Sequence, residues 1–310
     1  MRLYFHLHLL VFLLATTAIL GELLSLTAVG LVLWRTLFAA LGATAWVTLT
    51  RALALQPRPR GARANVAGLR SCLPWPGWRA TRSFLIVGLV IGVHWICFFG
   101  AIKLSNVSVC LAGMATISLF TAFTEPLMEK RRIRPFEVLL GLLVVVGIVL
   151  VAGFERGYLL GLLVAILSAF LAAIFPVLNR KLVTTGGDPL VMVVWEMAGA
   201  FTAALCLYPW VGEGKSLFVW QRFDWLWILL LAWVCTVFAH SFHIRLLRHL
   251  SAYTTNLAFN LEPVWGILMA ALLFKEHEQL HPLFYAGIGT ILLANALHPL
   301  ILRKLAKPVP

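Results

Sequence analysis

Arg35, His94, Glu125, Glu196, His240, Asn256, Asn260 and Glu262 each interrupt a run of apolar residues. An imidazole titrates near neutral pH, so His94 and His240 are candidate substrate partners or proton acceptors. Glu262 is followed by Pro263, which lacks an amide hydrogen and crowds the carbonyl of Phe259, so a helix kinks or opens there. Two readings of that pair stand. Carbonyls freed inside a membrane are tolerated where they line protein or water, which makes Glu262 and Pro263 a cavity wall; alternatively, Glu262 pairs with another buried group and the proline only bends the helix. Asn256 and Asn260 lie four residues apart on one helix face, and Glu262 projects about 200° away from Asn260. Either the kink re-aims one set, or one set only ties neighbouring helices together. Arg35 and Glu196 would offset each other as a pair, with Glu22 the competing partner of Arg35. Trp265, with Trp95, reads either as aromatic cavity lining or as helix packing. Glu125 sits one turn from the basic stretch "EKRRIR" and can reach toward it. No Cys/His/Asp spacing marks a metal site, and no cofactor motif is present, so we expect neither.

The elements that hold these groups follow from composition. The chain has 310 residues, of which 61% are hydrophobic and 12% charged, with mean hydropathy +0.93. A soluble domain carries about 25% charged residues, so the chain reads as an all-α membrane protein. The net charge of +13 does not point to nucleic acid, because the basic residues sit in short connectors between apolar runs. Cys72, Cys97, Cys110, Cys206 and Cys235 show no CxxC pairing and, Cys72 apart, fall inside apolar runs. The apolar N-terminal stretch lacks a small-x-small cleavage site and reads as a retained first span.

Crossing the hydrocarbon core takes about 20 apolar residues. Runs of that length fall near 4–21, 27–50, 82–103, 106–128, 135–153, 157–179, 188–209, 224–246, 251–274 and 281–302, giving ten expected transmembrane helices. Nineteen Lys and Arg residues then collect on one side and five on the other, with Arg35 inside a span. This asymmetry places both termini in the cytoplasm. The basic connector at 51–82 fixes that topology or binds anionic lipid.

The second half overlies the first at an offset of 146, matching His94 with His240, Leu104-Ser105 with Leu250-Ser251 and Gly141 with Gly287. Glu262 then faces Thr116 and Pro263 faces Ile117. Five spans in each half give opposite orientations, so residues 1–153 and 154–310 are expected to form two five-helix inverted repeats. An offset of 137, pairing "TEP" at 124–126 with "LEP" at 261–263, loses the other matches and is rejected.

Several stretches carry a family resemblance: "LVLWRTLFAA", "GVHWICFFGAIKLSNVSVCLAGMATISLFTAFTEPLMEKRRI" and "LSAYTTNLAFNLEPVWGILMAALLFKEHEQLHPLFYAGIGTILLANAL". The chain resembles an EamA-type member of the drug/metabolite transporter superfamily. The last stretch is similar to that family's pattern of a mid-helix proline, an acid past the helix end and a glycine in the next span: Pro263, Glu276 and Gly287. Arg35 matches the family's common span-two arginine. The resemblance implies a secondary transporter exporting small organic metabolites across the cytoplasmic membrane by alternating access. Proton coupling, if present, would run through Glu262 and the histidines. It also implies a homodimer through spans five and ten, where Gly141, Gly147, Gly287 and Gly289 give smooth faces. No Walker A motif supports ATP drive. The alternative, an intramembrane enzyme working through midplane His and Glu residues, has no GxSxG, HExxH or paired aspartates behind it, so no enzyme is expected.

Overall fold

A computed structural model describes residues 2–54, 75–154, 156–212, 214, 217, 220–275 and 281–305. The described residues form helices and connecting turns, with no strand among them. The helices are α1 (Arg2–Leu23), α2 (Ala28–Ala54), α3 (Trp78–Leu104), α4 (Val107–Met114), α5 (Ile117–Glu129) and α6 (Pro135–Phe154). They continue with α7 (Leu159–Ala172), α8 (Phe175–Thr184), α9 (Pro189–Val211), α10 (Asp224–Ala232), α11 (Ala239–Leu246), α12 (Ala252–Phe259), α13 (Glu262–Phe274) and α14 (Pro282–Leu305). Seven stretches of the described residues are long and apolar enough to cross a membrane, counting α4–α5, α7–α8 and α10–α11 as single stretches. Of the other helices, α6, α13 and α14 contain shorter apolar stretches, and α12 is a helix of 8 residues. Most of the basic connector, residues 55–74, lies outside the described residues, as does Glu276.

The distribution of side chains shows which solvent the chain is built for. Leu272 is 82% exposed and Leu127 79%, while Arg35 is 1% exposed and Glu196 fully buried. Water would reverse that order. Hydrocarbon demands it, because an intramembrane charge must face the protein interior.

Four helical stretches are interrupted midway. α4 gives way to α5 at Ala115–Thr116, α7 to α8 at Ala173–Ile174, and α12 to α13 at Asn260–Leu261; α10 and α11 are joined by a π-helical segment, Trp233–Phe238. Two interruptions have a proline cause. Pro176 and Pro263 lack the amide hydrogens that would bond to the carbonyls of Ala172 and Phe259. The break before α5 has no such residue. There the Thr116 amide and hydroxyl both donate to the Gly113 carbonyl, at 3.1 and 2.8 Å, which tightens the turn and ends α4.

The bounds of these broken helices recur along the chain. Adding 145 carries Val107–Met114 onto Ala252–Phe259 and Ile117–Glu129 onto Glu262–Phe274. Asn106 and Ser251 cap the first helices alike, each accepting an amide three residues on, from Val109 and Thr254. Lys130 and Lys275 end the second helices alike, both in the left-handed region at φ 55°. The structural offset is thus one residue shorter than the sequence matches indicate, and Ile117 opens a helix despite not being a proline.

Close packing sets the depth of the polar groups. At Gly88 a Cβ would collide with the backbone carbonyl of Glu196, and at Gly199 with that of Leu85, so α3 and α9 approach backbone to backbone. At one end of the bundle Glu125 accepts from the Tyr253 amide at 3.0 Å, in the first turn of α12, and pairs with Arg131 at 3.3 Å. Arg180 joins that end, bonding Glu129 at 2.6 Å and the Leu250 carbonyl at 3.2 Å. At the other end Lys103 donates to the Leu24 carbonyl at 2.9 Å and Ser25 donates to Asp224 through both its amide and its hydroxyl. α6 and α14 pack against each other within the one chain.

Candidate functional site

The four interruptions meet around one cavity of about 90 Å³. Met114 and Ile117 flank the first, Ala172 and Phe175 the second, Cys235 and Ala239 the π segment, and Phe259, Glu262 and Pro263 the last; all line the space. Irregular backbone inside a membrane is tolerated where it borders a cavity, and here the breaks and the cavity coincide. Arg35, His94, Trp95, His240, His243 and Asn256 supply most of the polar and aromatic remainder.

The sequence candidates divide cleanly. Arg35, His94, His240, Asn256, Glu262 and Pro263 reach the cavity; Glu196, Asn260 and Trp265 do not. The turn at Asn260–Leu261 resolves the problem of the ninth apolar run. It rotates α13 relative to α12, so that Glu262 shares the cavity with Asn256. Asn256 donates to Thr121 Oγ1 at 2.8 Å, which ties α12 to α5. Asn260 is left in the turn, buried and 1% exposed, with neither amide atom hydrogen-bonded among the described residues.

Trp265 requires correction. It is 45% exposed and meets Phe12 edge-on at 5.5 Å, on the outside of the bundle. Glu262, Pro263 and Gly266 take the inward face of α13, and Trp265 lies about 110° from the centre of that face. Its aromatic role in the cavity falls to Trp95, Phe98, Phe175 and Phe259.

The Arg35 pairings also require correction. Among the described residues Arg35 forms no ion pair; Glu196 bonds His240, and Glu22 lies 3.9 Å from Lys103. The Arg35 guanidinium instead lies 3.7 Å over the Trp95 ring, and Nε donates to Thr236 Oγ1 at 2.7 Å. Helix geometry explains the exchange: Glu196 is held against α3 by the Gly88 contact and turns toward α11.

The two histidines are differently wired. His94 Nδ1 is 2.9 Å from the Ser168 carbonyl oxygen, which can only accept, so Nδ1 carries the hydrogen and Nε2 is left as an acceptor. Ser168 Oγ donates to the His94 carbonyl at 3.0 Å. His240 Nε2 is 2.6 Å from Glu196 Oε2, a charge-assisted contact fully inside the protein, and Asn179 Nδ2 stands 3.4 Å from the same oxygen. The Phe175 ring separates the imidazoles, its centroid 5.5 Å from His94 and 6.1 Å from His240.

Residues 159–298 match the model of the EamA-like transporter family. That match covers a little under half of the chain, all of it in the second half, and the family is part of the drug/metabolite transporter superfamily. The similarity and the apolar helices together point to a multi-pass membrane protein. A solved crystal structure, 18% identical, aligns over 99% of this chain and 98% of its own with a TM-score of 0.62, which shows a shared fold. No curated protein matches.

Three groups at or beside the cavity escaped the sequence reading, of which His243 lines it. His243 stands one turn beyond His240, at helical spacing in "HSFHIRLL", and its Nε2 lies 3.3 Å from Thr255 Oγ1. That spacing was a usable signal. Pro176 was another, marking the break before α8 as Pro263 marks the break before α13. Thr236 gave no signal, because its role depends on the π segment.

Proposed function

We propose that this EamA-like protein is a secondary exporter of small organic metabolites in the cytoplasmic membrane, working by alternating access. The observation that carries this reading is the convergence of four helix interruptions on one cavity lined by Arg35, His94, His240, Asn256 and Glu262. Broken helices give a bundle places to hinge and leave polar backbone at the substrate. Ten spans arranged as two inverted halves, residues 1–153 and 154–310, account for the recurrence of helix bounds and caps at 145. The excess of basic connectors on one side supports cytoplasmic termini.

Within this reading His94, His240, Asn256 and Arg35 contact substrate, and Glu262 with the histidines carries proton coupling. Glu262 is suited to that role because it borders the cavity and, among the described residues, forms no hydrogen bond or ion pair. Glu196 acts through His240, and Pro263 sets the hinge. The apolar outer faces of α6 and α14, exposed at Leu139, Leu142, Leu293 and Leu300, meet lipid or a second copy in a homodimer.

The test is efflux from proteoliposomes under an imposed pH gradient, comparing the parent with Glu262→Gln. The reading expects gradient-driven flux in the parent and gradient-independent flux in the variant. Flux equally dependent on the gradient in both removes Glu262 from coupling. No flux of any metabolite from a broad mixture removes transport.

A further inference from the structure

We propose that Arg35 is the seat for the carboxylate of the transported compound, and that the substrate is a small organic carboxylate with an apolar body. This deepens the exporter reading and rests on it.

Arg35 is 1% exposed, lines the cavity and, among the described residues, has no carboxylate within ion-pair distance. An arginine kept only for packing would be expected to have its donors satisfied, because a buried guanidinium without acceptors is costly. Here one nitrogen is satisfied and two are not. Nε donates to Thr236 Oγ1, while neither Nη has an acceptor among the described residues; Nη1 is fully buried without one. A carboxylate presents two oxygens at the spacing of a guanidinium edge, which makes it the natural bidentate complement of the free nitrogens.

The surroundings fix the guanidinium rather than let it swing. Trp95 supports one face at 3.7 Å, and Phe99 lies 5.6 Å from the same group. Thr236 is itself held. Its hydroxyl hydrogen goes to the Leu231 carbonyl, five residues back, at 2.7 Å, which leaves an oxygen lone pair for Arg35 Nε. That five-residue reach belongs to the π segment, a helix irregularity that recurs at functional sites. The π segment therefore has an identifiable use: it presents Thr236 to Arg35.

The other titratable groups lining the cavity are His94, His240, His243, Cys235 and Glu262. Glu196, behind His240, is engaged by that imidazole. Glu262 is the one carboxyl among the described lining residues, and it forms no ion pair with Arg35. Leu111, Met114, Ile117, Phe98 and Phe259 give the rest of the wall its apolar character, which suits the hydrocarbon end of such a ligand.

The experiment uses purified full-length protein and three probes of one shape: 3-methylbutanoate, 3-methylbutanamide and 3-methylbutylamine. Binding is read as a dose-dependent rise in melting temperature, with the parent, Arg35→Gln, Arg35→Lys and Thr236→Val. The proposal expects the carboxylate to bind the parent at least tenfold more tightly than the amide or the amine. Arg35→Gln should abolish that preference, Arg35→Lys should weaken it through loss of the bidentate edge, and Thr236→Val should reduce it while leaving Arg35 in place. A purely structural role for Arg35 would lower every melting temperature without changing the preference among probes. Equal binding of the three probes to the parent, or an unchanged preference in both Arg35→Gln and Thr236→Val, overturns the proposal; if Arg35→Gln does not fold, Thr236→Val and Arg35→Lys decide. Counterflow of the same probes in proteoliposomes separates the two levels. Movement of the amide or amine in preference to the carboxylate keeps a transporter and discards the carboxylate seat. Carboxylate binding lost in the Arg35 variants, with no movement of any probe, keeps the seat and discards the transporter.

Discussion

His94 and His240 both line the cavity, yet one is held by a neutral serine and the other by a buried carboxylate. The Ser168 contact fixes the tautomer of His94 and leaves the Nε2 lone pair outside that contact. The Glu196 contact favours a hydrogen on His240 Nε2 and places a potential charge pair beneath the cavity wall. The two rings are thus engaged through opposite nitrogens, which leaves Nε2 of His94 and Nδ1 of His240 outside these contacts. A cavity built this way can orient an asymmetric ligand, which two identically wired imidazoles could not do as well.

The comparison can be broken most forcefully at Glu196. Glu196→Leu strands His240 beside an apolar side chain, and removing one partner of a buried pair costs about 3–5 kcal/mol. A large fall in the melting temperature of the purified protein is the expected readout. The double variant Glu196→Leu/His240→Phe should recover a good part of that loss, because an apolar pair of similar volume avoids stranding a polar group. No recovery would mean that the pair interacts with more than each other.

Ser168→Ala tests the other half and should cost less, about 1 kcal/mol, since the Ser168 carbonyl still holds His94 Nδ1 at 2.9 Å. Its effect on transport should stay below that of Glu196→Leu. The smallest expected change is Asn179→Ala, about 0.5 kcal/mol, because its amide stands at the long distance of 3.4 Å from Glu196. If Asn179→Ala matches Glu196→Leu in the same melting assay, the carboxylate depends on Asn179 rather than His240.

Much of the helical layout was legible because hydrocarbon leaves a strong mark on sequence. The described helices begin and end within a few residues of the apolar runs. The break at Asn260–Leu261 was legible too, since Pro263 cannot supply an amide. The break at Ala115–Thr116 was not, because threonine and glycine are unremarkable in a membrane helix, and the tightened turn depends on where the Thr116 hydroxyl points. Of the site, Arg35, His94, His240, Asn256 and Glu262 could be found by asking which polar residues interrupt apolar runs. Their partners could not. Ser168 lies 74 residues from His94 and Thr236 lies 201 from Arg35, so no local spacing encodes either pair. Trp265 shows the converse error, where residue type pointed inward and the rotation of α13 placed the ring outside.

The central claim, a cavity walled by broken helices and reached from each side in turn, is tested most directly by thiol labelling. Met114→Cys, on the cavity wall at the break before α5, is placed in a chain whose five native cysteines are replaced, and a membrane-impermeant reagent is applied to oriented vesicles from either side. Alternating access predicts modification from both sides, each slowed when transported compound is present. Modification from one side alone, at a rate indifferent to that compound, would contradict it.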